Sequence, residues 1–130
     1  MAAPKILCDT SGMDRRTWLA ARAHGPDGSI PIAIGGSDVA AIFGISPWKT
    51  PLDLWLEKSG KLMPDESDNM WQKEMGHLLE PVVAQMYAFR SGNRVILDTY
   101  LYQHALYPWA LANIDYGMED KDTKEAGGLE

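Results

Sequence analysis

Three acidic residues stand where carboxylates could do chemistry on a divalent cation. Glu80 lies in a long amphipathic stretch, Asp115 ends an apolar run, and Glu130 ends the segment Gly-Gly-Leu-Glu. If Asp115 and Glu130 come from neighbouring strands and Glu80 reaches in from a helix, their oxygens would form a cage suited to Mg²⁺ or Mn²⁺. Each residue also has a purely structural interpretation. Glu80 would be a surface acid, Asp115 would form a turn, and Glu130 would have no functional role.

Glu80 depends on a helix predicted from about Ser67 to Ser91 and ended by Gly92. Apolar residues recur there every three or four positions, which predicts one face packed on a core: Trp71, Met75, Leu78, Leu79, Val82, Met86 and Phe89. Pro81 removes one helical N–H and predicts a kink. Gly76 shares a strip with Glu80 and costs about 1 kcal/mol in a helix interior, so it indicates a close approach of a backbone or ligand, or simple helix packing.

Asp115 and Glu130 depend on strands in the second half of the chain. The β-branched and aromatic run 94–102 predicts one strand, and 109–115 predicts a second that pairs with it as a hairpin. A charged loop over 119–126 leads to the start of a third strand at 127–130. Helices followed by strands predict one domain over residues 1–130, α+β or mixed α/β, with N-terminal helices on a small mixed or antiparallel sheet. The sheet would be incomplete at the C-terminal end, and its edge strand predicts self-association.

A second group of residues could bind an anion. Residues 13–23 predict a short helix that stops at the breaker cluster 24–28. Ser37 then predicts the N-cap of a helix ended by Gly44, where unpaired N–H groups beside Gly35 and Gly36 would favour a phosphate. The plain alternative is that Ser37 only caps its helix. Thr50-Pro51 predicts the start of another helix, ended by Gly60.

Composition excludes several classes of protein. The chain has 130 residues and a single cysteine, so an internal disulfide and a cysteine-rich zinc site are excluded. It has no apolar run long enough for a membrane helix and no secretory signal, which predicts a cytoplasmic protein. The net charge is −6, with seven Lys/Arg against six Asp/Glu in residues 1–62 and five against twelve in 63–130. The acidic half is either a solvated surface or a source of metal-binding carboxylates.

Four blocks of the sequence resemble YqaJ-type phage recombinase nucleases, relatives of the lambda exonuclease in the PD-(D/E)XK superfamily. The blocks are Ile-Gly-Gly-Ser-Asp through Trp-Leu-Glu at 34–57, a Gly-x-x-x-Glu-Pro helix motif at 76–81, an Asp-bearing strand at 107–115 and the start of a Glu-x-Lys strand at 127–130. They occur in a consistent order within residues 13–130. The resemblance implies a restriction-endonuclease-like core.

The resemblance also implies roles for particular residues. Glu80, Asp115 and Glu130 would be the catalytic ligands of Mg²⁺ or Mn²⁺. Ser37 and Gly36 would lie near the substrate phosphate. Arg22, in a Trp-x-x-x-Arg pattern, would grip a terminal 5′ phosphate. The implied activity is a 5′–3′ double-strand DNA exonuclease used in phage recombination, and the implied partners are double-stranded DNA, a single-strand annealing protein and further copies of the chain.

One part of the family's pattern is not present. Its general-base lysine lies two residues after the glutamate matched by Glu130, beyond the last residue of this sequence. We therefore expect the N-terminal part of a longer nuclease, with little or no activity of its own. The alternatives are a non-catalytic module on the same scaffold that binds nucleic acid or protein, and a plain structural domain.

Overall fold

The computed structural model describes residues 3–62 and 70–129, and its fold is α+β. In chain order the described elements are β1 (Lys5–Asp9), α1 (Arg15–His24), a 3₁₀ turn (Gly36–Asp38), α2 (Val39–Ile42), α3 (Pro51–Lys58), α4 (Met70–Ser91), β2 (Arg94–Leu97), β3 (Tyr100–Gln103), β4 (Leu111–Asn113), β5 (Tyr116–Glu119) and β6 (Ala126–Leu129). The chain divides into two compact units, the first made of residues 1–64 and 100–113 and the second of 65–99 and 114–130. The predicted α+β class is confirmed.

The first unit contains an antiparallel sheet in the order β1-β3-β4. Its core is small: Leu101 and Ala33 are fully buried, and Ala21, Ile30 and Leu111 are nearly so. The segment before the 3₁₀ turn is attached to this sheet, because the N–H of Ile34 donates to the carbonyl of Trp109 (2.8 Å) and the N–H of Leu111 donates to the carbonyl of Ile34 (2.9 Å). The backbone that leads into the 3₁₀ turn is therefore fixed.

Local signals set the ends of the helices in this unit. The carboxylate of Asp14 accepts the N–H of Thr17 (2.9 Å) at the start of α1. At the start of α3, the hydroxyl of Thr50 accepts the N–H of Asp53 (3.2 Å), and the carboxylate of Asp53 accepts the N–H of Thr50 (2.9 Å). This reciprocal pair is a capping box, which satisfies two donors that have no partner within the helix. The predicted starts of both helices are confirmed to within two residues.

Hydrogen bonds accepted by aspartate side chains make the stability of the fold depend on pH in the acid range. Backbone N–H and hydroxyl donors lower the pKa of four aspartates, Asp14, Asp27, Asp53 and Asp120. A lowered pKa stabilises the fold above the ordinary value of about 3.9, and this contribution disappears as the pH falls through the lowered value. We expect the urea midpoint to fall between pH 5 and 2, and to fall less in D53N/D120N, whose amides accept hydrogen bonds without titrating. An equal fall in both proteins would contradict this.

The second unit contains α4 and an antiparallel sheet in the order β2-β5-β6. The strand predicted over 94–102 is two strands, β2 and β3, which belong to different sheets. The predicted hairpin is confirmed for β3, which pairs antiparallel with β4, and is wrong for residues 94–97, which pair with β5 instead. Gly117 pairs with Gly128 within this sheet, so the alternative in which Asp115 opens a turn with Gly117 is not found. The third strand predicted from 127 is confirmed as β6, at an edge of the sheet.

The predicted core face of α4 is not covered by the described residues. Phe89 is 91% exposed, Trp71 69% and Leu78 67%, whereas Ala84 is buried. Helix and sheet meet on a different strip, where the hydroxyl of Tyr87 donates to Met118 Sδ (3.1 Å). The packing prediction is therefore wrong within residues 3–62 and 70–129. The helix start predicted near Ser67 lies outside the described residues.

Two details of α4 bear on its glycine and its proline. A Cβ added at Gly76 would meet no described atom within 4 Å, so the close backbone approach predicted there is not found among these residues. Pro81 lies inside the helix without ending it, and the kink stays a prediction. Gly92, with a φ of 72°, ends the helix as predicted.

Candidate functional site

Arg22 and Ser37 are fifteen residues apart in the chain and in contact in the first unit. Arg22 Nη2 donates a hydrogen bond to Ser37 Oγ at 3.2 Å. The guanidinium carbon of Arg22 also lies 4.6 Å from the centroid of the Trp18 ring, one helical turn earlier on α1. Because residues four apart share a face of a helix, the Trp-x-x-x-Arg spacing places the indole under the guanidinium. The Trp18 ring and Ser37 together fix the direction of the Arg22 side chain.

The two glycines before Ser37 have different surroundings. A Cβ at Gly35 would lie 3.3 Å from Arg22 Nη2, whereas a Cβ at Gly36 would meet nothing within 4 Å. The missing side chain of Gly35 therefore lets the guanidinium approach the backbone closely. Gly36, the glycine predicted to lie at the phosphate, is in the same 3₁₀ turn as Ser37.

Ser37 does not cap a helix. It lies inside the 3₁₀ turn Gly36–Asp38, and the following helix α2 begins at Val39 and has four residues. The carboxylate of Asp38 accepts the N–H of Gly35 (2.8 Å) and so closes the turn. The prediction of a Ser37-capped helix is wrong, because the 3₁₀ turn begins one residue earlier, at Gly36, with Gly35 as its N-cap. A helix of one turn also has only a small dipole, so any attraction for an anion comes from Arg22 and Ser37 instead.

Asp38 is held in turn by a lysine from α3. Lys58 Nζ lies 2.8 Å from Asp38 Oδ2, and the side chains of the two residues are 14% and 10% exposed. No functional role is predicted from the sequence for either residue. A signal for Asp38 exists, since an aspartate three residues after Gly35 can accept its N–H, but the partnership with Lys58 has no local signature.

The two described acidic residues predicted as metal ligands, Glu80 and Asp115, lie in the second unit. Glu80 is on α4, and its Oε1 is 3.4 Å from Nδ1 of His77. Asp115 is exposed between β4 and β5, and its carbonyl accepts the N–H of Asp98 (3.1 Å). Glu130, the third predicted ligand, lies outside the described residues.

The donor chemistry of Glu80 and Asp115 suits a hard cation. Among the described residues neither carboxylate forms an ion pair with a lysine or an arginine. Carboxylate oxygens are the ligands that Mg²⁺ and Mn²⁺ prefer. Within residues 3–62 and 70–129 no three His, Cys, Asp or Glu side chains converge to hold a metal ion. Two of the three predicted ligands, Glu80 and Asp115, are among the described residues, and neither belongs to such a cluster there.

Comparison with known proteins identifies the family. The model of the YqaJ-like viral recombinase domain matches residues 17–130, which include Trp18, Arg22, Ser37, Glu80 and Asp115. The chain belongs to the YqaJ-like viral recombinase domain family. A protein of Bacillus subtilis (strain 168) named "Uncharacterized protein YqaJ" is 38% identical over 111 residues, which are 85% of this chain and 32% of that protein. This chain thus spans about a third of the length of that curated relative.

No solved structure matches the YqaJ-like domain significantly. In the part of the chain that the structure describes, no helix has the length and apolar character needed to cross a bilayer.

Proposed function

We propose that this YqaJ-like domain is part of a metal-dependent DNA nuclease of phage-type recombination, a 5′–3′ exonuclease on double-stranded DNA. The single observation that supports this best is the contact between Arg22 and Ser37, because it joins two residues whose predicted roles were the same and whose positions in the chain are distant. Both belong to the first unit, and the proposed phosphate site is confined to it.

The proposed phosphate site consists of Arg22, Ser37 and the turn at Gly36. A guanidinium has five N–H donors and retains its charge at any working pH, so it can bond Ser37 and still present a fork to two phosphate oxygens. The hydroxyl of Ser37 accepts from Arg22 and can donate its own proton to an anion. Charge-assisted hydrogen bonds of this type are roughly twice as strong as neutral ones.

The proposed metal ligands are Glu80, Asp115 and Glu130, with Mg²⁺ or Mn²⁺ as the cofactor. In the last described pair of the sheet Tyr116 lies opposite Leu129, and in the sequence Asp115 precedes the first as Glu130 follows the second. This sequence relation supports the choice of Asp115 and Glu130 as partners. When bound, such a metal would activate a water and neutralise charge on the scissile phosphate. These side chains would hold the cation.

Binding of a 5′-phosphorylated short duplex tests the proposal. With Ca²⁺ present to limit cleavage, we expect fluorescence anisotropy to show at least about tenfold tighter binding than to the same duplex with a 5′ hydroxyl, which corresponds to about 1.4 kcal/mol. Equal affinity for both ends would contradict the end-gripping function. DNA binding without preference and without any effect of metal would favour the non-catalytic binding module.

Cleavage is a separate measurement on the same protein. In the nuclease family that the sequence resembles, the general-base lysine lies two residues after the position of Glu130. We therefore expect these 130 residues to digest 5′-phosphorylated duplex weakly or not at all with Mg²⁺. Robust digestion that is lost in D115A would contradict this part of the proposal, while leaving the assignment of Asp115 intact.

The proposed partners follow from the same function. Double-stranded DNA would be the substrate, a single-strand annealing protein would bind the strand that remains, and the proposed location is the cytoplasm. Self-association remains part of the proposal, since β6 is an edge strand of its sheet and edge strands offer unpaired backbone groups. We further propose that residues 1–130 act as a single nuclease-like domain.

A further inference from the structure

We infer that the ion pair between Asp38 and Lys58 positions the phosphate-binding turn and keeps it electrically neutral. This inference rests on the proposed phosphate site at Arg22 and Ser37 and assigns positioning roles to two residues that have no part in that site. Neither is proposed to touch the substrate.

The geometry of the turn depends on the carboxylate of Asp38. One carboxylate oxygen of Asp38, Oδ2, accepts the N–H of Gly35 at 2.8 Å and lies 2.8 Å from the ammonium of Lys58. A Cβ at Gly35 would lie 3.6 Å from that oxygen and 3.3 Å from Arg22 Nη2, so carboxylate and guanidinium approach the same glycine. A displacement of Asp38 would therefore move the backbone against which Arg22 lies.

The charge of Asp38 is buried. Asp38 is the one buried charged residue in the part of the chain described, with 7% of its surface exposed. A buried carboxylate is strongly destabilising when its partner is removed, because its charge is left without compensation. Lys58 supplies that compensation from the last residue of α3, and the capping box at Thr50 fixes where α3 begins.

An unpaired charge on Asp38 would also act on a phosphate bound nearby. Asp38 is adjacent to Ser37 in sequence, so an uncompensated carboxylate there would repel a phosphate bound by Arg22 and Ser37. With Lys58 in place the pair has no net charge, and the positive charge of Arg22 acts on the ligand unopposed. The pair thus affects binding of an anion without contributing a contact to it.

Nearby lysines have other partners. Lys49 pairs with Glu57, and the ammonium of Lys61 lies 4.1 Å from the centroid of the Trp55 ring. Lys49 is thus a matched control for Lys58, because it is also an ion-paired lysine of this segment and its partner is not in the 3₁₀ turn.

The test compares K58M, D38N, D38N/K58M and K49M in the 130-residue chain, by anisotropy with 5′-phosphorylated and 5′-hydroxyl duplexes. We expect K58M to lose about tenfold in affinity for the phosphorylated end, a loss of about 1.4 kcal/mol. The double variant should return to within about threefold of the wild type, because an amide at position 38 still accepts the N–H of Gly35 and adds no charge. K49M should keep the wild-type preference for the phosphorylated end, and D38N should keep or increase it, because Lys58 then has an unpaired positive charge. Binding of the hydroxyl end should change no more in the other variants than in K49M.

The outcomes separate this inference from the function on which it rests. If the wild type does not prefer the phosphorylated end, the phosphate site itself is wrong. If R22M loses the preference while K58M keeps it, only the positioning role is overturned. A double variant as weak as K58M would likewise overturn it, since a purely structural lysine predicts no rescue. Should K58M fail to fold, the double variant decides alone: wild-type affinity supports the role, and a loss of about tenfold overturns it.

Discussion

R22M is expected to bind a 5′-phosphorylated duplex about 10- to 100-fold more weakly than the wild type, the equivalent of roughly 1.5–3 kcal/mol for hydrogen bonds to a charged group. The reason is that the variant loses both the charge and the fork of donors that Ser37 and the Trp18 ring hold in place. Affinity for the 5′-hydroxyl duplex should fall only as far as the loss of one positive charge requires, so the measured quantity is the ratio of the two dissociation constants.

Two control variants separate local from general electrostatic effects. Arg15 lies over the same Trp18 ring, at 5.0 Å, so R15M removes an equal charge from the same helix. It should weaken binding to both duplexes alike and leave their ratio unchanged. R22K retains the charge without the planar fork, and an intermediate ratio is expected. A ratio that falls equally in R15M and R22M would show that overall charge, rather than the Arg22–Ser37 contact, recognises the phosphate.

Mn²⁺ or Mg²⁺ is expected to raise the melting temperature of the wild type and not that of D115N/E80Q. A cation at about 100 times its dissociation constant adds about 2.7 kcal/mol to the free energy of unfolding, because it binds the native state alone. For a chain of this size that is a shift of roughly 10 °C. The two amides keep the size of the carboxylates and remove the charge that would attract the cation.

E119Q is the matched control for the metal experiment. Glu119 is an acid at the other end of β5, and its carboxylate pairs with Lys124 at 3.6 Å. Its variant should keep the full shift, and a chelator should reverse the shift in the wild type. Absence of any shift in the wild type would contradict the proposed metal ligands, and an equal shift in D115N/E80Q would place the cation elsewhere.

Features encoded within a few residues could be predicted from the sequence. The starts of α1 and α3 follow from side chains that accept N–H groups three residues later, and Gly92 ends α4 because its φ of 72° is unfavourable for other residues. Such signals involve only local backbone geometry. They hold whatever the rest of the fold does.

Features that depend on distant pairing could not be predicted. The run 94–102 has strand character throughout, and only the choice of partners, β5 for one half and β1 and β4 for the other, divides it between two sheets. The periodicity of α4 showed that an apolar face exists, but Tyr87, which contacts Met118, is not on the predicted stripe.

The candidate site shows the same division. The family resemblance implied phosphate-binding roles for Arg22 and Ser37 through their motifs, and the two are in contact. Asp38 and Lys58, by contrast, are twenty residues apart and come from different helical segments. Their partnership depends on how α3 lies against the turn, and no pattern in the sequence encodes that placement.

Trp18 has a guanidinium near its ring from two residues, Arg15 at 5.0 Å and Arg22 at 4.6 Å. The emission of an indole responds to charges that move close to it. An anion that binds Arg22 is therefore expected to change the light that this tryptophan emits, which would give the molecule an intrinsic optical reporter beside its proposed DNA-end site.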